Sequence, residues 1–255
     1  MLAPRADLNP HDLSTGSVHI WAVRLSASDP VLLQFRSVLC AEELARAERF
    51  AFERLRRAFA LSRGVLRALL GCYLCCRPEK VEFVYGEKGK PALAGSSRLQ
   101  FNTSHSGGVA LFGLALSQEI GVDVEQLRPM DDMQTVAARF FSPPEISDLN
   151  TLPSEARVAG FFRCWTRKEA YIKAIGDGLS CPLDGFRVTF LPGDPPRLTE
   201  LFPAASGVRV WSLHNLEISE GYAGALAYQG EERRVESQEL VDAEQLLRIL
   251  DSGKE

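Results

Sequence analysis

Gly121-Val122-Asp123-Val124-Glu125 places two acids two residues apart in an apolar run. On a strand, that spacing points both carboxylates to one face. Two such acids repel unless something cationic lies between them. Further along, Trp165-Thr166-Arg167-Lys168-Glu169-Ala170-Tyr171-Ile172-Lys173 sets Glu169 and Lys173 four apart in a helical pattern, again on one face. If they converge, three carboxylates and an ammonium make a divalent-cation site that handles phosphate, and hard oxygen ligands suit Mg²⁺. Each stretch also has a plainer reading. Asp123 and Glu125 can be solvated acids on an exposed face, and Glu169–Lys173 can be a helical ion pair worth about 0.2–0.5 kcal/mol.

Working outward, residues 109–116 are apolar on both faces and read as a central strand, which Ser117-Gln118-Glu119 turns into the acid-bearing one. Leu99-Gln100-Phe101-Asn102 reads as a strand ending in a polar loop, Thr103-Ser104-His105-Ser106-Gly107-Gly108. Val18-His19-Ile20-Trp21-Ala22-Val23-Arg24-Leu25 is a first strand. Between these, residues 41–74 predict one long amphipathic helix, with Gly64 as a kink or break and arginines on its outer face. Residues 81–85 are a short strand, and Gly86-Glu87-Lys88-Gly89-Lys90-Pro91 is a turn.

Beyond Pro129 the pattern is helical. One helix covers residues 131–140 and a second starts at Ser142-Pro143-Pro144-Glu145, with Ser142 as N-cap. A third covers 156–175 and is closed by Gly176 and Gly178. Residues 186–190, 208–213 and 222–228 are further strands, and 237–250 a terminal helix. The fold class is α+β, with two similar subdomains over residues 1–117 and 118–235 and a helical tail over 236–255.

The 255 residues suffice for one large domain or two small ones, and 45% hydrophobic with 24% charged is ordinary globular composition. A net charge of −4 argues against nucleic acid as a partner. Residues 41–80 nevertheless hold nine basic side chains against five acidic ones, which suggests a local anionic partner. The first ten residues lack the apolar core of a secretory signal, and the longest apolar run is too short to span a bilayer. A cytoplasmic protein with no membrane association is expected. Of six cysteines, Cys72-x-x-Cys75 has metal-ligand spacing but no second pair and no nearby histidine, so these thiols read as small apolar side chains.

Lys88 and Lys90 flank Gly89, where backbone amides and ammonium groups can hold an anion, and His105 lies in a loop of small residues. The combination is more specific than any member. A basic helix, Gly89-Lys90-Pro91, Asn102-x-Ser104-His105-Ser106-Gly107, Gly121 to Glu125, and Trp165-x-x-Lys168-Glu169-Ala170-x-x-Lys173 together resemble the 4′-phosphopantetheinyl transferases, in their longer, Sfp-like class. The resemblance runs from about residue 46 to 183.

It implies a single chain of two α/β subdomains related by a pseudo-twofold axis. It also implies transfer of the phosphopantetheine arm of coenzyme A to a serine of an apo acyl- or peptidyl-carrier protein, releasing adenosine 3′,5′-bisphosphate. By motif, Asp123, Glu125 and Glu169 would hold Mg²⁺ or Mn²⁺. Glu169 would take the serine proton, and Lys173 would neutralise charge on the leaving phosphate. Lys90, His105 and Arg46 match positions at coenzyme A, Asn102 and Ser104 in the same loop could hydrogen-bond to its phosphate or adenine, and Lys88 and Arg57 are further basic candidates; a monomer is implied. Two other classes accommodate the acids and lysines. A metal-dependent phosphohydrolase leaves Ser104-His105 and Gly89-Lys90-Pro91 unexplained, and three intact acids argue against a non-catalytic coenzyme A- or carrier-binding scaffold.

Overall fold

The computed structural model describes residues 8–176, 181–201 and 210–252. The first half contains β1 (Ser17–Arg24), α1 (Asp29–Ser37), α2 (Ala41–Glu48), α3 (Glu53–Tyr73), β2 (Phe83–Tyr85), β3 (Pro91–Leu93), β4 (Leu99–Ser106) and β5 (Val109–Leu116). The second contains β6 (Ile120–Gln126), α4 (Met133–Phe140), α5 (Pro143–Thr151), α6 (Ser154–Ile175), β7 (Phe186–Val188) and β8 (Leu198–Leu201). The chain then runs through β9 (Trp211–Asn215), β10 (Tyr222–Gln229), β11 (Arg234–Ser237) and α7 (Ala243–Ser252). The architecture is mixed α+β, as the sequence leads one to expect.

Two sheets dominate, ordered β11-β1-β5-β4 and β6-β10-β9. β5 is buried along all but its last residue, which explains its unbroken apolar run. Alternation then sorts side chains into layers. Trp21, Phe101 and Phe112 of the first sheet pack with Leu61, Val65 and Leu69 of α3. Ile20 and Leu111 instead meet Val122, Val124 and Leu226 between the sheets. Ala225 and Ala227 of β10 face Phe161, Cys164 and Ile172 of α6. The order is therefore helix, sheet, sheet, helix. The last segment returns to the first sheet: β11 pairs in parallel with β1, and Leu246 and Leu250 of α7 join the α3 core.

Several boundaries differ from the sequence reading. The single helix over 41–74 is two, because Phe52 is extended (φ −108°, ψ 133°) and the Arg56 guanidinium binds the freed Phe50 carbonyl at 2.8 Å. Gly64 does not interrupt α3. It lets α1 approach, since a Cβ there would lie 2.5 Å from the Phe35 carbonyl oxygen. The helix α1, with Pro30 in its first turn, escaped the sequence reading, as did β3, β8 and β11. Ser237 ends a strand, and α7 begins only at Ala243. Cys72 is half-buried, whereas Cys75 and Cys76 lie beyond α3 and are exposed, so those two do not pack as core groups. Gly178, Val208 and Arg209 lie outside the described residues. Among the described residues no helix is long and apolar enough to cross a membrane.

Candidate active site

The two sequence stretches meet because of Gly121. A Cβ at that position would collide with the Ala170 carbonyl oxygen and the Ala174 nitrogen, so only glycine lets α6 lie directly on β6. That approach brings Lys173 to Asp123. The ammonium lies 2.6 Å from Asp123 Oδ1 and also donates to Ser104 Oγ at 3.0 Å and the Val122 carbonyl at 3.3 Å. Asp123 is 4% exposed. Burial raises its pKa, while Lys173 and Ser104 pull it down and Glu125 adds a smaller upward push.

A second set of contacts ties the two sheets together here. β4 and β6 belong to different sheets and share no backbone ladder. Side chains at every second position of β4 take its place. Asn102 Oδ1 accepts from the Val122 amide at 2.9 Å, and Ser104 Oγ donates to Asp123 Oδ1 at 2.7 Å. Ser106 Oγ donates to Glu125 Oε2 at 2.6 Å and accepts from the Gln126 amide at 3.2 Å. Arg128 Nη1 approaches the same Glu125 oxygen at 3.4 Å.

Glu169 faces this network from α6. Its carboxylate makes no hydrogen bond to the described residues and is raised from 4.5 to about 7. Burial is the largest cause, Asp123 and Glu125 add to it, and Lys173 opposes it. Helical order keeps Glu169 in place, with Trp165 one turn earlier stacked on Phe161 in the core. The preceding Lys168 is fully buried. Its ammonium binds the Leu183 and Phe186 carbonyls at 2.7 and 2.6 Å and Glu145 Oε2 at 2.8 Å.

The other candidates are placed differently. Ser104 and His105 are not in a loop, because β4 pairs with β5 as far as Ser106 and Val109. Gly107 and Gly108, both with positive φ (55° and 82°), make a two-residue hairpin turn that lets the strand run on. His105 therefore lies on the opposite face of β4 from Ser104 and is exposed. Lys90 pairs with Glu119 at 2.7 Å. Lys88 is exposed in the turn before it. Arg46 lies over the Phe59 ring at 5.3 Å, and Arg57 binds Asp29 at 2.7 Å and the Ala27 carbonyl at 3.1 Å. None of the hydrogen bonds or ion pairs of the three acids reaches Arg46, Arg57, Lys88, Lys90 or His105. Ser106, quoted in the sequence motif without a role, contacts Glu125; its even spacing from Asn102 and Ser104 was the available signal.

The expected cluster of three metal ligands is not assembled as such. Among the described residues no three acidic, histidine or cysteine side chains form a ligand group; Lys173 holds Asp123 Oδ1 and Ser106 holds Glu125 Oε2. The donor chemistry nonetheless suits a hard divalent cation. Among the described residues Asp123 Oδ2 is buried with no hydrogen-bond partner, and Glu169 is held against two like charges.

Residues 119–227 match the family model described as the 4′-phosphopantetheinyl transferase superfamily, and residues 25–115 match 4′-phosphopantetheinyl transferase, N-terminal. The 4′-phosphopantetheinyl transferase HetI of Nostoc sp. (strain PCC 7120) is 40% identical over 221 residues, covering 86% of this chain and 90% of that protein. The chain belongs to the 4′-phosphopantetheinyl transferases. This transferase is also similar to the 4′-phosphopantetheinyl transferase Sfp of Bacillus subtilis (strain 168), with 32% identity over 61% of this chain and 68% of that one. Among solved structures, the holo-[acyl-carrier-protein] synthase of Neisseria meningitidis aligns with 44% of the transferase at 20% identity and a TM-score of 0.37, a likeness too slight to argue from. Gly121, which brings the acids and Lys173 together, lies within the matched superfamily region.

Proposed function

We propose that this transferase moves 4′-phosphopantetheine from coenzyme A to a serine hydroxyl of an apo acyl- or peptidyl-carrier protein. The observation that carries the reading is the close seating of α6 on β6 at Gly121, which sets Glu169 beside Asp123 and Lys173, with the Lys173 ammonium 2.6 Å from Asp123 Oδ1. A carboxylate placed there suits a general base.

In this reaction the serine oxygen bonds to the pantetheine-side phosphorus of the pyrophosphate. The bond from that phosphorus to the bridging oxygen breaks, and its electrons leave with adenosine 3′,5′-bisphosphate. The serine proton passes to Glu169. Lys173 is already held by three acceptors, so its charge is fixed in the site at no cost of reorganisation as negative charge moves to the leaving group. Asp123, Glu125 and Glu169 are the residues that would hold Mg²⁺ or Mn²⁺, and the bound ion would supply charge neutralisation at the pyrophosphate.

Coenzyme A carries a pyrophosphate and a 3′-phosphate, and its binding calls for fixed cations. Lys90, Lys88, His105, Arg46 and Arg57 are assigned that task. Asn102 and Ser104 act from behind, through Val122 and through Asp123 with Lys173. One chain carries the whole set, so a monomer suffices. The test is labelling of an apo carrier by coenzyme A with Mg²⁺ added or chelated, read as a mass gain on its serine. Metal-dependent gain lost in Glu169→Gln, with coenzyme A still bound, is the expected result. Unaltered labelling by Glu169→Gln removes that residue as the base.

A further inference from the structure

Ser106 lies outside every role assigned above, yet its hydroxyl is held from two sides. Its hydroxyl has one proton. The Gln126 amide donates to the oxygen at 3.2 Å, so that proton is directed at Glu125 Oε2, 2.6 Å away. The turn that follows is fixed from the second sheet. A Cβ on Gly107 (φ 55°) would overlap the Gln126 side chain, and Tyr222 Oη donates to the Gly107 carbonyl at 2.5 Å. Arg128 reaches Glu125 through the same Oε2, so Oε1 carries neither contact.

We infer that Ser106 is a positioning residue that orients the Glu125 carboxylate, presenting Oε1 toward Asp123 and Glu169 for a divalent cation. Outer groups that hydrogen-bond a ligating carboxylate fix its direction, and their loss typically lowers metal affinity about 10–100-fold. A serine does this with little bulk, and its position two residues beyond Ser104 gives each acid of β6 its own hydroxyl from β4. The inference rests on the metal assignment proposed above.

The experiment is titration of the full chain with Mn²⁺ alone, read by the electron paramagnetic resonance signal of the free ion. Wild type should bind one ion, and Glu125→Gln should weaken it. Ser106→Ala should raise the dissociation constant about tenfold, and Ser106→Thr should restore it to near the wild-type value. Raising Mn²⁺ in the labelling assay should return the Ser106→Ala rate toward wild type, which a general loss of folding would not allow. Ser106→Ala binding within twofold of wild type overturns the inference and leaves the metal assignment standing. A wild type that binds no Mn²⁺ overturns both.

Discussion

The Lys173 ammonium lies 2.6 Å from Asp123 Oδ1, joining α6 to β6 at a point where the acid is almost wholly enclosed. The contact offsets part of the penalty of burying Asp123 beside Glu125, and burial still leaves the acid's pKa raised. It also makes the two residues energetically interdependent. Lys173→Met should lower stability by about 1–3 kcal/mol, because it leaves a buried carboxyl without its donor. Asp123→Asn combined with Lys173→Met should lose less than the two single changes added together. Urea midpoints of the four proteins measure this, and strict additivity would refute the coupling.

Glu169 gives a pH signature. Its folded value of about 7 lies above the ordinary 4.5. Its contribution to folding is thus fully present below about pH 4.5 and is lost as pH rises through about 7. Glu169→Gln stays neutral throughout. It should match wild type at about pH 4 and exceed it at about pH 8, by roughly 1–2 kcal/mol after allowance for partial exposure. Metal-free samples unfolded in urea at both pH values decide the matter, and a difference that does not change with pH speaks against it.

Gly121→Ala tests the contact between the two motifs. Backbone atoms of α6 stand where the methyl would go and cannot swing aside as a side chain would. Overpacking of this kind costs about 1–3 kcal/mol or more and should displace Glu169 and Lys173 together. Carrier labelling should fall at least tenfold under conditions where circular dichroism still reports a folded chain. Wild-type labelling would mean that the helix can shift without consequence.

Lys168 and Glu145 are both wholly enclosed and 2.8 Å apart. Breaking one member of a buried pair costs about 3–5 kcal/mol. Lys168→Met should reach that range in guanidinium unfolding. Adding Glu145→Gln should recover part of the loss, because the amide can still accept from the Val188 amide, as Glu145 Oε1 does at 2.8 Å. A Lys168→Met protein as stable as wild type would show that the pair is dispensable.

The acids, Glu169 and Lys173 were legible in the sequence because their signals are local. Strand alternation sets Asp123 and Glu125, and helical spacing sets Glu169 and Lys173. Legibility ended where geometry depends on distant partners. Ser104-His105 looks like a loop since its residues are small and polar, and only the β5 register and the Gly107-Gly108 turn make it a strand. The break before α3 was hidden because the apolar stripe continues across it, while the Arg56–Phe50 bond that stabilises the turn has no sequence signature. Lys168 gave no sign of being enclosed, since its neutralising acid lies on another helix. The short β11 has too few residues to show a pattern apart from the strand it joins.

The pairing of Ser17 with Arg234 gives the molecule an order of completion. As the chain leaves the ribosome, β1, β5 and β4 can pair, but one edge of β1 stays bare until β11 emerges. A bare edge invites pairing with other chains. The gap closes only after β6, α6 and β10 have been made, which are the elements that carry the acids and the strand they pack against. Sealing of the first sheet therefore certifies that the second has been synthesised, and a chain stopped anywhere between them would be marked by its own open edge for aggregation or disposal.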